Sequence, residues 1–336
     1  MIRKIIKKIL ILFLFILIFF TFWFALEFSS LPKTPSKKIF FEVKNGDRAQ
    51  DIARNLKREE IIRKEWTFLL GYKIFFSKKT LKAGEYAFET PSSQKNILSL
   101  ITEGRVYLHS ITIPEGLTRE EIANHLRILP SFDPEKFLTA SSDAKAVYSF
   151  DRTARDLEGY LFPETYYFPR GIHEKTIVSA MVSQFKNVFN DEWEKRADEI
   201  GMTVREVVIL ASLIEKETSL PQEKKLVSAV FHNRLNIGMK LDCDPTIIYV
   251  LKQEGSFKDR LYTKDLKLES PYNTYLYSGL PPGPISNPGR ASIEAALYPA
   301  EEEYLYFVSR NNGSHKFSRT FEEHRLAVAK YQKQKK

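Results

Sequence analysis

The chain has 336 residues, 43% of them hydrophobic and 13% aromatic, and a formal net charge of +9. This composition argues against a disordered chain, and the length favours more than one domain. The charge favours anionic surroundings such as a membrane surface or an acidic polymer, but the sequence has no zinc-ligand spacing and no nucleic-acid-binding signature, so we expect no nucleic-acid partner. The single cysteine, Cys243, excludes an intrachain disulfide.

An uncharged apolar run of 18 residues covers positions 9–26. As an α-helix it would be about 27 Å long, close to the thickness of one hydrocarbon core. Trp23 lies near its outer end, where interfacial aromatic residues are common. We predict a single transmembrane helix over 9–28. A cleaved signal peptide is the alternative, which the length of the run and the absence of a small-x-small site disfavour.

Basic residues flank this run on both sides. Those before it favour a cytoplasmic N-terminus, and those after it weaken the asymmetry. They are Arg3, Lys4, Lys7 and Lys8 before the run, and Lys33, Lys37 and Lys38 after it. We predict a basic cytoplasmic tail over 1–8, a polar linker over 29–39, and the rest of the chain outside the cytoplasm.

A strand, a glycine turn and a helix occur twice, 70 residues apart, in FEVKNGDRAQDIARNL from Phe41 and ITIPEGLTREEIANHL from Ile111. Alternating apolar residues predict each strand, and Ile, Ala and Leu at helical spacing predict each helix. The plan resembles the LysM module, a small β-α-α-β unit that binds the sugar backbone of peptidoglycan or chitin. We predict a LysM-like domain over 40–110 and a second LysM-like or connecting segment over 111–170. Packing units without ligand contacts are the alternative.

The part from 171 to 336 is predicted to be a mixed helix and strand domain, which makes the whole chain α+β. A long helical region is expected from Glu174 to Ala197. It precedes GMTVREVVILASLIEKET, where Thr203 and Glu206 form a capping box and almost no polar face follows. We therefore predict a helix buried on nearly all sides.

This helix ends with Glu215 and Glu217, and both border its apolar surface. A carboxyl held against an apolar wall is desolvated, so its pKa rises and it can give a proton to a glycosidic oxygen. Helical spacing does not choose between the two glutamates. A helix end that emerges into water is the alternative for both.

The segments after this helix, and one before it, suit a polysaccharide groove. DLEGYLFPETYYF offers aromatic rings for sugars, although such rings are also ordinary core residues. A proline-rich loop, SPYNTYLYSGLPPGPISNPG, is rigid and bears aromatic and amide groups, and YLYFVSRNNGSHKFSRTFEEH predicts a hairpin. The sequence has no HExxH motif or Cys/His cluster, so we expect no metal and no other cofactor.

Together, EGYLFPETY, ASLIEKET, VFHNRLNIGMKLDCDPTIIY, YNTYLYSGLPPGPISNPG and SHKFSRTFEEH resemble the YceG/MltG family of membrane-anchored endolytic murein transglycosylases. The resemblance covers nearly the whole chain. It implies a lyase of the bacterial inner membrane that faces the cell wall and cuts the MurNAc–GlcNAc β-1,4 bond of nascent glycan strands. It also implies a link to wall-synthesis enzymes.

The family's catalytic glutamate matches Glu217, the residue before Thr218, and Glu215 is the fallback. Glu215 would then be a neighbour whose charge raises the pKa of the catalytic acid. One carboxyl suffices because the C6 hydroxyl of MurNAc is the nucleophile, whereas ordinary glycosidases need two carboxyls. The candidate substrate-binding residues are Asn233, Asp244, Thr246, Tyr249, Tyr272, Asn273, Tyr160 and Tyr166.

Two other functions remain open at this point. A muramidase would use Asp244 as a second carboxylate and leave reducing MurNAc ends. A non-catalytic wall-binding protein would organise synthesis enzymes without cutting the glycan.

Overall fold

The computed structural model describes residues 2–31 and 37–332. Part of the predicted linker, 32–36, lies outside the described residues. The α-helices are α1 (Ile2–Ser29), α2 (Ala49–Arg58), α3 (Glu65–Gly71), α4 (Gln94–Glu103), α5 (Arg119–His125), α6 (Pro134–Ser141), α7 (Glu174–Val188), α8 (Asp191–Glu199), α9 (Val204–Glu217), α10 (Pro221–Asn236), α11 (Asp244–Gln253), α12 (Arg290–Leu297) and α13 (Phe321–Tyr331). The strands are β1 (Lys37–Val43), β2 (Gly84–Thr90), β3 (Leu108–Thr112), β4 (Thr165–Pro169), β5 (Tyr306–Ser309) and β6 (His315–Ser318). The predicted α+β class is confirmed.

Helix α1 is long and apolar enough to cross a membrane, with a mean hydropathy of 3.0 over its most apolar window. Almost all of its side chains are exposed, except near its C-terminal end, where Phe24 and Phe28 are buried. The helix begins before the apolar run and ends at Ser29, so the predicted span lies within one continuous helix.

The chain divides into two compact units, and the first contains the described residues up to His109 together with 167–170. Within it, β1 runs antiparallel to β2, from Lys37 opposite Thr90 to Val43 opposite Gly84. The element order is strand, helix, helix, strand, followed by α4. Gly46 has a φ of +88° in the turn between β1 and α2, as the sequence predicts.

Side chains from α1, β1, α2, α3, β2 and α4 form one core in this first unit. The apolar residues predicted to face inward on α2, namely Ile52, Ala53 and Leu56, are fully buried in it. Phe24 and Phe28 of α1 belong to the same core. The end of the apolar helix is therefore part of the packing of the first unit.

The second copy of the sequence plan also has the order strand, helix, helix, strand, from β3 through α5 and α6 to β4. β3 and β4 pair in a two-stranded sheet. Ile122, Ala123 and Leu126 are buried, like their counterparts 70 positions earlier. Thr118 and Glu121 cap α5 reciprocally.

The second unit contains residues 110–166 and the described residues from Gly171 onwards. The long helical region predicted from Glu174 to Ala197 consists of two helices, because α7 ends at Val188 and α8 begins at Asp191. The Asn190 side chain accepts a hydrogen bond from the Trp193 N–H and caps α8. The predicted hairpin is confirmed as β5 and β6, which pair antiparallel.

Helix α9 lies at the centre of the second unit, and each residue from Val207 to Ile214 is buried. α10, α11 and α12 pack against it. The proline-rich loop also contacts it, because the Ile285 N–H donates to Ser212 Oγ at 3.1 Å. The last turn of α9 is thus held on several sides while its two glutamates leave the core in different directions.

Candidate active site

A cavity of about 350 Å³ lies at the C-terminal end of α9. Its lining is contributed by α9, by α10, by the start of α11 and the loop before it, by the proline-rich loop, and by the C-terminal hairpin with α13. The lining residues are Glu217, Arg234, Leu241, Asp242, Asp244, Tyr275, Tyr306, Phe307, Phe321 and His324. Four of the ten are acidic residues or arginine, so the cavity is polar and suits a hydroxyl-rich ligand.

Glu217 is the last residue of α9, and the chain leaves the helix at Thr218, which has an extended backbone. Its carboxyl is partly buried in the cavity wall. Burial raises its pKa from 4.5 to about 7, and the nearby Asp244 carboxylate adds to this rise. The Cys243 thiol acts in the opposite direction, because its S–H donates to Glu217 Oε1 at 3.0 Å. A carboxyl in this environment can hold a proton near neutral pH.

Cys243 is only 1% exposed and immediately precedes α11. Burial raises the pKa of its thiol well above the ordinary range, and the neighbouring Glu217 raises it further. The sulfur therefore remains a thiol and acts as a donor. The next residue, Asp244, turns into the cavity and accepts a hydrogen bond from the Tyr275 hydroxyl at 2.6 Å.

Arg234, on α10, forms part of the wall, and its Nε and Nη1 atoms are bonded to the protein. Its guanidinium donates to the carbonyls of Leu305 at 2.7 Å and Leu241 at 2.9 Å, and it pairs with Asp242 at 3.5 Å. These bonds connect α10 to the loop before α11 and to the segment before β5. Arg234 thereby fixes two sides of the cavity relative to each other.

Aromatic rings from the hairpin and α13 close the remaining side. Tyr306 stacks on His324 with ring centroids 5.1 Å apart and also contacts Phe321. Burial lowers the pKa of His324, and the nearby Arg234 charge lowers it further. His324 is therefore neutral at pH 7, and this wall presents ring surfaces to the cavity.

Glu215 points into a different environment. Lys224 Nζ donates to both of its oxygens, at 2.9 Å and 3.1 Å, and the Gly289 N–H donates to Oε2 at 3.0 Å. The side chains of Glu215 and Lys224 are 7% and 4% exposed. Lys224 also donates to Ser292 Oγ at 2.8 Å. This is a buried, hydrogen-bonded ion pair that joins α9, α10 and α12.

A side chain at position 289 would meet a second carboxylate, that of Glu115, beside this ion pair. A Cβ at this position would lie 1.9 Å from Glu115 Oε1, so any side chain would displace the Glu115 carboxylate. Burial raises the pKa of Glu115, and the neighbouring Glu215 raises it further. The terminal Asn-Pro-Gly of the proline-rich loop therefore serves the packing around Glu215.

The structure brings two of the predicted site residues, Glu217 and Asp244, into the cavity. Asn233, Thr246 and Asn273 do not line the cavity but support the segments that do. The Asn233 amide donates to the carbonyls of Glu302 and Tyr304, and the Asn273 amide donates to those of Leu266 and Leu268. Thr246 is fully buried, and its hydroxyl donates to the Cys243 carbonyl at 2.7 Å. These three polar side chains hold the backbone that carries the lining residues.

The four predicted tyrosines lie outside the cavity lining. Tyr160 is fully buried, and its hydroxyl donates to Asp151 at 2.5 Å. Tyr166 donates to the Phe162 carbonyl at 2.7 Å. Tyr249 and Tyr272 are half-buried and contact each other with ring centroids 5.3 Å apart. Burial raises the pKa of all four hydroxyls, so they remain protonated.

Sequence reasoning did not select Tyr275, Arg234, Tyr306 and the Cys243 thiol. Cys243 precedes Asp244 and Arg234 follows Asn233 in the sequence. Their proximity to predicted site residues could have indicated both. Tyr306 had no such signal, because only the tertiary fold brings β5 beside α9. We expected the charge of Glu215 to raise the pKa of Glu217. The rise instead comes from burial and from the Asp244 carboxylate.

The cavity can supply one proton from the Glu217 carboxyl, to which the Cys243 thiol donates the one side-chain hydrogen bond found among the described residues. It also offers an ionic and aromatic surface for a polar ligand. Among the residues that the structure describes, no group of three His, Cys, Asp or Glu side chains is arranged to hold a metal ion. The chemistry that the residues support is general acid and base catalysis.

Residues 41–330 match the YceG-like family. A Bacillus subtilis (strain 168) protein named endolytic murein transglycosylase is 32% identical over 315 residues, covering 89% of this chain and 86% of that protein. A Streptococcus pneumoniae (strain D39) protein of the same name is 29% identical over 328 residues, covering 88% of this chain and 58% of that protein. The crystal structure of a yceG-like protein from Listeria monocytogenes has a TM-score of 0.59 and 33% identity, covering 86% of this chain and 98% of that chain.

Proposed function

The chain belongs to the YceG-like family, and from this premise we propose that Glu217 serves first as the acid and then as the base of a murein transglycosylase reaction. Its relatives are named endolytic murein transglycosylases, and the protein is a peptidoglycan lytic transglycosylase, a lyase that acts on the glycan. The observation that carries the assignment of Glu217 is its place in the cavity with a pKa raised to about 7.

In the first step, protonated Glu217 gives its proton to the glycosidic oxygen between MurNAc and GlcNAc, and the bond from that oxygen to MurNAc C1 breaks. In the second step, the C6 hydroxyl oxygen of the same MurNAc bonds to C1. The Glu217 carboxylate takes the hydroxyl proton, so the 1,6-anhydro ring closes and the acid is restored. The nucleophile is already part of the substrate, which removes the entropy cost of positioning a water.

Several contacts support this cycle. Glu217 is hydrogen-bonded to a thiol and lacks a salt bridge among the described residues, and burial keeps its pKa raised although the Arg234 charge acts in the opposite direction. Asp244 and the Tyr275 hydroxyl, 2.6 Å apart, provide oxygens for developing positive charge on the sugar ring. Tyr306 presents a ring face for sugar contact. We assign these three residues to substrate binding, and we assign Asn233, Thr246 and Asn273 to holding the walls.

A muramidase is the second candidate, because Asp244 lines the same cavity as Glu217. In that reaction the second carboxylate would activate water or attack the sugar, and the new MurNAc end would be reducing. The hydrogen bond from Tyr275 to Asp244 Oδ1 favours the first reaction, because it occupies an oxygen that a second catalytic carboxylate would use on water or on the sugar.

We further propose that residues 40–110 form a LysM-like domain and 111–170 a second, related segment. The order strand, helix, helix, strand in both copies and the turn at Gly46 support this assignment. Co-sedimentation of the Glu217→Gln chain with insoluble peptidoglycan tests it. Alanine at the turn residues Asn45, which is exposed, and Asp47, which is half-buried, is expected to weaken retention, with Arg54→Ala on α2 as control. Equal retention of all variants would leave these segments as packing units.

The location follows from α1, whose length and hydropathy suit one membrane crossing. We propose that it is an uncleaved anchor in the bacterial cytoplasmic membrane, with its basic N-terminus inside and residues 171–336 outside as the catalytic domain. Enzymes of wall synthesis are a further partner that we propose from the family resemblance. A folded reporter fused at either end, tested for access from outside intact cells, checks the orientation; access to the N-terminal reporter would contradict it.

Mass spectrometry of digested glycan strands tests the reaction and its residue together. The wild-type protein is expected to release fragments with anhydro-MurNAc ends, each lighter by one water than a reducing end. Glu217→Gln should release none, and Glu215→Gln should retain the product type. Reducing ends from the wild type would establish the muramidase, and binding without any cleavage would establish the non-catalytic wall-binding protein.

A further inference from the structure

The first unit exposes large apolar side chains beside α1. Trp66 of α3 is 43% exposed, and Ile74 and Phe75 in the π-helical turn Tyr72–Phe76 are 54% and 60% exposed. We call these three residues the juxtamembrane patch. Clustered apolar exposure of this kind marks an interaction surface, because single exposed apolar residues are common but neighbouring ones are not.

The juxtamembrane patch is continuous with the apolar helix. The Trp66 ring stacks on Trp23 with centroids 5.6 Å apart, and on Phe20 with centroids 6.5 Å apart. The Phe75 ring stacks on Phe28 with centroids 5.6 Å apart. These contacts belong to one compact unit, so the patch keeps its position relative to the end of α1.

The contact with Phe20 sets the depth of the patch. The apolar run ends at Leu26, six residues after Phe20, a rise of about 9 Å along the helix axis. If the run fills the hydrocarbon layer, a side chain packed against both Phe20 and Trp23 lies about 5–9 Å inside the edge of that layer, in the outer part of the acyl chains near the headgroups. Tryptophan is the residue that most favours this boundary.

The charges around the patch suit the same location. Between residues 64 and 79 the sequence has four lysines and one glutamate. Lys64 Nζ lies 5.0 Å from the Trp23 ring centroid, while Lys73, Lys78 and Lys79 are exposed around the π-helical turn. Lysines at an apolar border extend their ammonium groups toward water and lipid phosphates.

We propose that the juxtamembrane patch docks onto the bilayer that α1 enters, with its rings at the acyl boundary and the surrounding lysines on anionic headgroups. The inference rests on the proposal that α1 crosses the membrane. Docking gives the first unit a second attachment besides the helix, so this unit lies against the membrane surface. The occupant is the lipid surface itself, and no partner protein is needed.

Depth-dependent fluorescence quenching tests the proposal on the full chain in lipid nanodiscs. Single cysteines replace Leu12, Ile74 or Ile128, and each carries a polarity-sensitive dye; native Cys243 is 1% exposed and stays unlabelled. Ile128, in the second unit, is 79% exposed and serves as the matched control. Spin-labelled lipids quench the dye either near the headgroups or deep in the acyl layer.

The Ile74 dye is expected to be quenched by the shallow spin label at least about twofold more than the Ile128 dye, with emission shifted to the blue. The Leu12 dye should respond to the deep label. Quenching at position 74 should increase when phosphatidylglycerol is added and return to the neutral-lipid level in the Lys73→Glu, Lys78→Glu double variant.

The outcomes separate the docking from the anchor. Quenching at Leu12 with a water-like signal at Ile74 would overturn the docking while leaving the anchor intact. A water-like signal at Leu12 would overturn both. Quenching at Ile74 that does not depend on lipid charge would support the apolar contact and overturn the role of the lysines.

Discussion

The last turn of α9 carries two glutamates, and its two faces place their carboxyl groups in opposite electrostatic environments. Glu215 and Glu217 are two positions apart, which turns their side chains by about 200° around the helix axis. Glu215 receives two hydrogen bonds from Lys224 and one from a backbone N–H, whereas Glu217 receives one from a thiol and opens to a cavity. A carboxylate paired with a cation stabilises the fold, and a carboxyl without one keeps its proton.

The largest effect is expected from removing the proton donor on the cavity side. Glu217→Gln should lower the rate of glycan cleavage by about a thousandfold or more, because one group performs both proton transfers. The amide has the same shape, so the folded structure should persist. Counting new anhydro ends over time measures the effect, with thermal unfolding run in parallel. Full cleavage by this variant would transfer the catalytic role to another residue.

A large loss of stability is expected when the ion pair on the Glu215 face is broken, although the proton donor Glu217 is kept. Lys224→Met leaves Glu215 buried without its cation and should lower the free energy of unfolding by about 3–5 kcal/mol. Urea unfolding in a fixed lipid or detergent environment measures this change. Lys225→Met is the control, because Lys225 and its partner Glu294 are 51% and 44% exposed, and it should cost under about 1 kcal/mol. If both variants lowered the free energy of unfolding equally, the buried pair would have no special role in stability.

The comparison also predicts that the cleavage rate and the contribution of Glu217 to stability both fall as pH rises, in different pH windows. Glu217 must be protonated to act, and its pKa is raised from 4.5 to about 7. The cleavage rate should therefore be level below pH 7 and fall about tenfold per pH unit above it. A profile that begins to fall near pH 4.5 would show that Glu217 is not desolvated.

Stability supplies an independent measurement of the same pKa. Between pH 4.5 and 7 the folded chain holds a proton on Glu217 that the unfolded chain has released. This residue therefore lowers the free energy of unfolding as pH rises through that window, and Glu217→Gln removes its contribution. The stability of the variant relative to the wild type should increase from pH 5 to pH 8, and a constant difference would contradict the raised pKa.

The smallest effect concerns the thiol that contacts Glu217. Because this hydrogen bond lowers the pKa of Glu217, Cys243→Ala should move the descending limb of the pH–rate profile to higher pH by less than about one unit. Cys243→Ser supplies a stronger donor and should move it to lower pH. Measuring both profiles separates hydrogen bonding from packing, since a packing defect would shift both variants the same way.

The sequence predicted the elements that depend on local pattern. The apolar helix, the repeated strand–turn–helix plan, the C-terminal hairpin and the burial of α9 all follow from periodicity and turn residues. The break at Asn190 was missed, although Asn followed by acidic residues is an N-cap signal. Local pattern therefore located the helix that carries the candidate acid.

The different environments of the two glutamates depend on residues that are distant in sequence. Lys224 is 9 positions from Glu215, Cys243 is 26 positions from Glu217, and Gly289 is 74 positions from Glu215. No helical periodicity contains this information. The aromatic residues show the same limit, because Tyr160 is a core residue and Tyr306 lines the cavity, while both lie in similar aromatic sequence.

The burial of Phe24 and Phe28 has a consequence for how the protein is made. These two side chains are synthesised before all the other residues of the core that surrounds them, and the last of those is Ile101. During that interval their rings have only lipid or other apolar surroundings to enter. Proteolytic cleavage after Phe28, at the end of α1, would later remove both rings and leave a cavity, at a cost of about 3–5 kcal/mol per ring. Release of the first unit from this helix would therefore weaken the unit itself.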